Sequence, residues 1–394
     1  MMDNTGKQRL ALMALWALGL LLLAVTLTAV VAFGPLRIVL ENEATAFMLA
    51  ETVLLFLWSC FWLLRQTSGK KRAAALGLEI LIFTWCHQIL LPLMVSGAYL
   101  FMLACFGIWI WGLLFRDIKL SPVWKWLMGL VLGSAAWMVL VCVISLTGRG
   151  GLWLWRFLAL GIGLWLLLLF FFYWKRQGKI SGSWRESLKT AENRFPKDKA
   201  SALLIAFILT VLLVQAGRIN IELDYDSLHY GLRSPYVLDN GFGIYENLGM
   251  INLVYTYSKG LEVLCLPLSG TPTYGFVLCV SYWACVLSLA LIGYLAAGRG
   301  GRKTGLWAAA LASAIPGITN MGITAKNDMI TLLHQLIIYG LLQQAILAGG
   351  MRGSNAWNTE KGESAGYKTG SQAPWLFMAV AVYLLTLVYK PTAL

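Results

Sequence analysis

Charge is what this 394-residue sequence has least of: 12% of its residues are Asp, Glu, Lys or Arg, and between residues 44 and 185 the only acids are Glu51, Glu79 and Asp117. That scarcity excludes an ordinary water-soluble fold, which carries about 25% charged residues. Cysteine patterning is missing too. The seven Cys form no Cys-x-x-Cys pair and six of them sit in apolar runs, which argues against a disulfide framework or metal cluster and reads them as small packing residues. Of the three His, His87 and His334 stand alone within apolar runs and read as packing residues, whereas His229 has polar company.

What the chain has in abundance is apolar length: 59% hydrophobic residues, 18 Trp and a mean hydropathy of +0.71. A helix crossing hydrocarbon needs about 20 predominantly apolar residues, and by that measure the sequence predicts an all-α multi-pass membrane protein with about eleven spans. They fall near 10–33, 44–64, 74–94, 97–115, 126–146, 152–174, 201–217, 274–297, 304–320, 329–348 and 375–390. The third and fourth are separated only by MVSGAY and the ninth contains Pro316, so a broken or re-entrant segment is expected among them. The first run is longer than a signal-peptide core and lacks a small-residue cleavage site, so it reads as a retained helix.

Basic residues accumulate in cytoplasmic loops. With the N-terminus inside, 23 of the 31 Lys and Arg fall on the cytoplasmic side and 8 on the other. The net charge of +13 then reflects loops facing anionic lipid, not nucleic-acid binding. The expected location is the plasma membrane.

A basic linker at 175–200 separates a first membrane region, 1–174, of about six helices and unassigned role, from a second module, 201–394. Between the seventh and eighth spans lies a non-cytoplasmic loop, 218–273, and long loops in compact proteins are usually functional. Its first half holds Glu222, Asp224, Asp226, Asp239 and Glu246. In DSLHYGLR, Asp226, His229, Tyr230 and Arg233 are spaced i, i+3, i+4 and i+7, one face of a helix lying on the membrane surface with Leu228 and Leu232 toward lipid. Lys259, in YSKGLEVLCLPL, is a cation on the side depleted of them and suits an anionic ligand group such as phosphate. Lys326, Asn327 and Asp328 stand at the mouth of the tenth span, where ionisable groups are costly and usually functional. The plainer readings are an interfacial snorkelling lysine and an N-cap.

Taken in order, DYDSLHYGLRSP, YSKGLEVLCLPL, GITAKNDM and LVYKPTAL resemble the motifs of membrane glycosyltransferases of the GT-C fold, which use polyprenyl-phosphate-linked sugars and include the protein O-mannosyltransferases and the lipid A aminoarabinose transferase. The resemblance covers residues 200–394. It departs from the family where Ser258 replaces a carboxylate before the lysine and in the six helices of the first region. The family core also continues through further helices, so the resemblance implies a chain incomplete at its C-terminus.

That resemblance implies inverting sugar transfer at the outer membrane face. Asp226 would be the general base or acceptor-orienting carboxylate, and Lys259 would hold the phosphate, with Arg233 and Lys326 assisting. Asp224, His229, Glu246 and Asp328 would line the substrate site. Asp224, Asp226 and Asp328 offer oxygen ligands to a divalent metal, but no metal or other cofactor is assigned. The implied partners are the bilayer, a polyprenyl-phosphate-linked sugar donor and a lipid, glycan or protein acceptor, without nucleic acid. A transporter or lipid flippase is the alternative from another class, although midplane charges and repeated halves, its usual marks, are scarce; a noncatalytic assembly partner is a third.

Overall fold

The structure is a computed structural model and describes residues 43–65, 68–116, 118, 120–177, 198–220, 225, 227–232, 238–245, 258–350 and 372–391, with scattered positions between 13 and 28. Every regular element among the described residues is helical. They are α1 (Glu43–Leu64), α2 (Gly69–Cys86), α3 (Leu90–Leu114), α4 (Pro122–Ser145), α5 (Leu152–Gln177), α6 (Lys199–Arg218), α7 (Gly260–Cys265), α8 (Gly275–Ser313), α9 (Pro316–Met321), α10 (Asp328–Gly350) and α11 (Ala373–Tyr389), with a π-helical turn at Ser227–Gly231 and a 3-10 turn at Leu266–Leu268. Seven of these, α1, α3, α4, α5, α6, α8 and α10, are long and apolar enough to cross a membrane. This is an integral membrane protein. The 10–33 run and most of the 175–200 linker lie outside the described residues.

The chain divides into two compact units, residues 1–58 and 59–394. In the first, the described part of α1 turns Phe47, Leu54 and Leu57 outward, as a helix bathed in lipid does. The second holds the buried core and every residue discussed below. Within it Ser59 Oγ donates to Glu79 Oε2 at 2.8 Å, giving a buried carboxyl one partner inside apolar surroundings.

Glycine sets the closest helix crossing. A Cβ on Gly107 of α3 would collide with the Gly129 carbonyl of α4, and one on Gly133 with the Leu103 carbonyl. Without side chains at these points the two backbones touch, which is how membrane helices gain packing when hydrophobicity gives them no drive to associate. Trp137 and Val141 of α4 and Leu103 of α3 are fully buried beside this crossing.

One of the expected boundaries needs correction and another falls where the sequence placed it. MVSGAY, read as a break, lies inside α3; the break falls at His87–Ile89, where Gln88 takes φ 57°. Asn220 supplies the reason, because its side-chain amide donates to the freed carbonyls of His87 and Gln88 at 3.2 and 3.3 Å. The break expected between the runs at 274–297 and 304–320 is met, since α8 folds back between them at Gly301 (φ 79°). A Cβ on Gly305 would meet the Gly293 carbonyl and Ala297, so the two arms form a close hairpin over small residues. The second arm stops at Ser313 and resumes as α9 with Pro316 at its first position, a broken segment as Pro316 predicts.

Helices from both sides of the 175–200 linker pack together. Trp283 of α8 donates to the Leu93 carbonyl of α3 at 3.1 Å across that divide, while the adjacent Tyr282 donates to the Leu212 carbonyl of α6, on its own side of the linker, at 2.9 Å. Between α6 and α8 the chain does not stay outside. The stretch from Gly260 to Ser269 is wholly buried among α4, α5 and α11.

Candidate functional site

A six-residue helix buried in a membrane protein has backbone carbonyls that its own turns cannot satisfy. Here two spans reach in to satisfy them, and a third holds the residues that follow. Tyr99 of α3 donates its hydroxyl to the Leu264 carbonyl at 2.8 Å, and Trp137 of α4 its indole N–H to the Val263 carbonyl at 3.1 Å. Arg156 of α5 donates to the carbonyls of Pro267 at 3.2 Å and Ser269 at 2.7 Å. Counted by charge alone, Arg156 was one more basic residue outside the cytoplasm; its work is to hold this segment.

At the head of α7, Lys259 Nζ lies 3.7 Å from Glu262 Oε1, with side chains 17% and 3% exposed. Burial pulls the lysine below its ordinary range and pushes the Glu262 carboxyl up to about 7, while each partner favours the charged form of the other. Among the described residues Glu262 Oε2 has no hydrogen-bond partner.

Three further segments meet near this point. A Cβ on Gly260 would lie 2.9 Å from the Val388 carbonyl and 2.8 Å from the Tyr389 ring, so the start of α7 abuts the end of α11. The next residue of α11's exit, Lys390, pairs with Asp328, the first residue of α10. Three positions before Asp328, the Ala325 N–H donates to Ser227 Oγ at 2.9 Å, and Gly231 presses against the Ala325 carbonyl. The four sequence motifs, spread over more than 160 positions, are therefore linked by direct contacts.

Of the candidate residues, Lys259 and Asp328 belong to this junction, and Lys326 is half-buried in the turn between Ala325 and Asp328. Asp224, Asp226, Arg233 and Glu246 lie outside the described residues, as does the side chain of His229. The surface-helix reading of DSLHYGLR is corrected in one respect. Ser227–Gly231 is a single π turn, and Leu232, assigned to lipid, is 2% exposed within the core while Leu228 stays outward. Gly231 has to be glycine for this, because any side chain would strike Ala325.

His334 is the packing residue its isolation implied: it is buried, its Nδ1 is 3.3 Å from Thr386 Oγ1, and its ring meets Tyr389 edge-on. His87 stacks on Phe83 with centroids 4.2 Å apart.

On the flank of the site Asp239 accepts from Ser269 Oγ at 2.6 Å, and burial pushes its carboxyl up to about 6. The neighbouring Gly241 carbonyl accepts from Gly150 N–H at 3.0 Å, and Asn240 folds its side chain onto Phe242 and Gly243. The described part of the loop is thus clasped to the entrance of α5.

Glu262 and the clasp residue Asp239 were not among the sequence candidates. Glu262 had a usable signal, an acid three positions after a lysine in an otherwise apolar run.

Comparison with protein-family models, with curated proteins and with solved structures returns no match.

Proposed function

We propose that this chain is a membrane glycosyltransferase that moves a sugar from a polyprenyl-phosphate donor to an acceptor at the non-cytoplasmic face. The observation that carries the reading is the junction itself: Lys259, Asp328 with Lys390, and the Ser227–Gly231 turn, from four separate segments, joined through contacts at Ala325 and Tyr389. Structural helix ends do not need a lysine–carboxylate pair on each of two abutting segments, Lys259 with Glu262 and Lys390 with Asp328, whereas a lipid phosphate needs cations at the membrane boundary.

In this reading Asp226 takes the proton from the acceptor hydroxyl as its oxygen attacks the anomeric carbon. The bond from that carbon to the phosphate oxygen breaks with inversion, and polyprenyl phosphate leaves with the bonding electrons. Lys259, with Lys326 and Arg233, meets the negative charge that develops on it. Asp224, His229, Glu246 and Asp328 orient sugar and acceptor. The bias of 23 to 8 in basic residues supports a cytoplasmic N-terminus, an outward-facing site and the plasma membrane as its location.

The test is sugar transfer in membranes carrying the whole chain, supplied with a panel of radiolabelled polyprenyl-phosphate sugars. Asp226→Asn and Lys259→Ala at equal expression are expected to lose at least about 100-fold of the wild-type rate, the scale of a general base or a charge-stabilising group. Full activity in Asp226→Asn removes its assignment, and a wild type inert toward the whole panel removes the reading.

A further inference from the structure

A lysine that already holds a carboxylate is a poor anion site unless the carboxylate can be silenced. Lys259 faces that difficulty, since its ammonium is 3.7 Å from Glu262. The surroundings show how it is overcome. Glu262 is 3% exposed, it sits on a helix whose carbonyls are pinned by Tyr99 and Trp137, and among the described residues its Oε2 has no hydrogen-bond partner. The carboxyl is enclosed on a held segment, and one oxygen is left to receive a proton.

The titratable groups neighbouring α7 are Lys259 and Cys265 on its own segment, Tyr99 on α3, and Tyr389 with Lys390 at the end of α11; His334 lies behind Tyr389, and Asp328 is paired with Lys390. Lys259 alone lies close enough to Glu262 for an ion pair among the described residues.

We infer that Glu262 is a positioning residue for Lys259 that releases the ammonium to an incoming phosphodiester by taking up one proton from solvent. Before the donor arrives the carboxylate keeps the half-buried ammonium charged and oriented. When the phosphate anion takes its place beside Nζ, two anions cannot share one buried cation, and the carboxylate becomes a carboxylic acid. The resting state already lies close to this step, because burial brings the Glu262 carboxyl to about 7. The inference rests on the phosphate-binding role given to Lys259 above.

The experiment adds farnesyl methyl phosphate, a phosphodiester whose own charge is fixed across neutral pH, to the full chain in detergent at pH 8. Binding is followed by calorimetry and carboxyl protonation by infrared difference spectroscopy. The expected result is saturable binding together with a new protonated-carboxyl C=O band, absent in Glu262→Gln, which still binds. Saturable binding without the band, or a band that persists in Glu262→Gln, overturns the role of Glu262 and leaves the phosphate site standing. No binding by the wild type, with Lys259→Ala indistinguishable from it, overturns the phosphate site itself. If Glu262→Gln does not fold, Glu262→Asp serves instead: a displaced carboxyl must shift the band's frequency, and an unchanged band counts against the inference.

Discussion

Lys390 donates its ammonium to the carboxylate of Asp328 across 62 positions of chain, joining the exit of α11 to the first turn of α10. The pair is only partly shielded, with side chains 39% and 36% exposed. Its weight is in position, since it fixes Lys326 and the Ala325 turn relative to the end of α11.

Asp328→Asn and Lys390→Met are each expected to change unfolding stability in detergent by less than about 1 kcal/mol, as solvent-screened ion pairs do. Transfer activity is expected to fall much further, and the exchange Asp328→Lys with Lys390→Asp to restore part of it. A stability loss as large as the activity loss would make the pair purely structural.

Trp137→Phe and Tyr99→Phe each leave a buried carbonyl of α7 without its donor. The expected cost is about 1–3 kcal/mol apiece, read as a lower melting temperature. Because both act on one rigid segment, the double variant should be less than additive.

Gly231→Ala places a methyl group against the Ala325 carbonyl. Overpacking of this kind costs about 1–3 kcal/mol, and Ser227→Ala, which removes the acceptor for the buried Ala325 N–H, falls in the same range. Limited proteolysis should cut the 221–250 segment faster in both variants than in the wild type.

Asp239 gives the stability of the chain a pH dependence. Its folded carboxyl is raised from 3.8 to about 6 by burial, so between those values the folded state holds more protons than the unfolded one. Stability therefore falls as pH rises through that window and stays lower above it. Asp239→Asn keeps an acceptor for Ser269 and is expected to flatten this part of the curve, raising the melting temperature at pH 7 relative to the wild type while leaving it nearly unchanged at pH 4.

The membrane helices were legible because each is a long apolar run, and Pro316 and the Gly-Arg-Gly-Gly turn marked their breaks in the sequence itself. The break at Gln88 was not, since Asn220, more than 130 positions away, caps it. The four motifs lie far apart in sequence, and the contacts that join them, Ala325 with Ser227, Lys390 with Asp328 and Gly260 with Tyr389, arise only from tertiary packing. Leu232 was misassigned because an i, i+4 pattern in so short a segment cannot distinguish a surface helix from a turn packed against Ala325. Glu262 was passed over because a carboxylate inside an apolar run reads as an interruption until Lys259, Tyr99 and Trp137 are placed around it.

The most direct measurement uses a polyprenyl-phosphate sugar carrying a photoreactive group beside the phosphate, activated in membranes that contain the whole chain, with the labelled peptides mapped by mass spectrometry. A single lipid-phosphate site at the junction predicts labels within residues 224–233, 258–262 and 325–328, all competed by unlabelled donor and all weakened by Lys259→Ala. Labels confined to the lipid-facing surfaces of α1 and α5, indifferent to competitor and to Lys259, would contradict it.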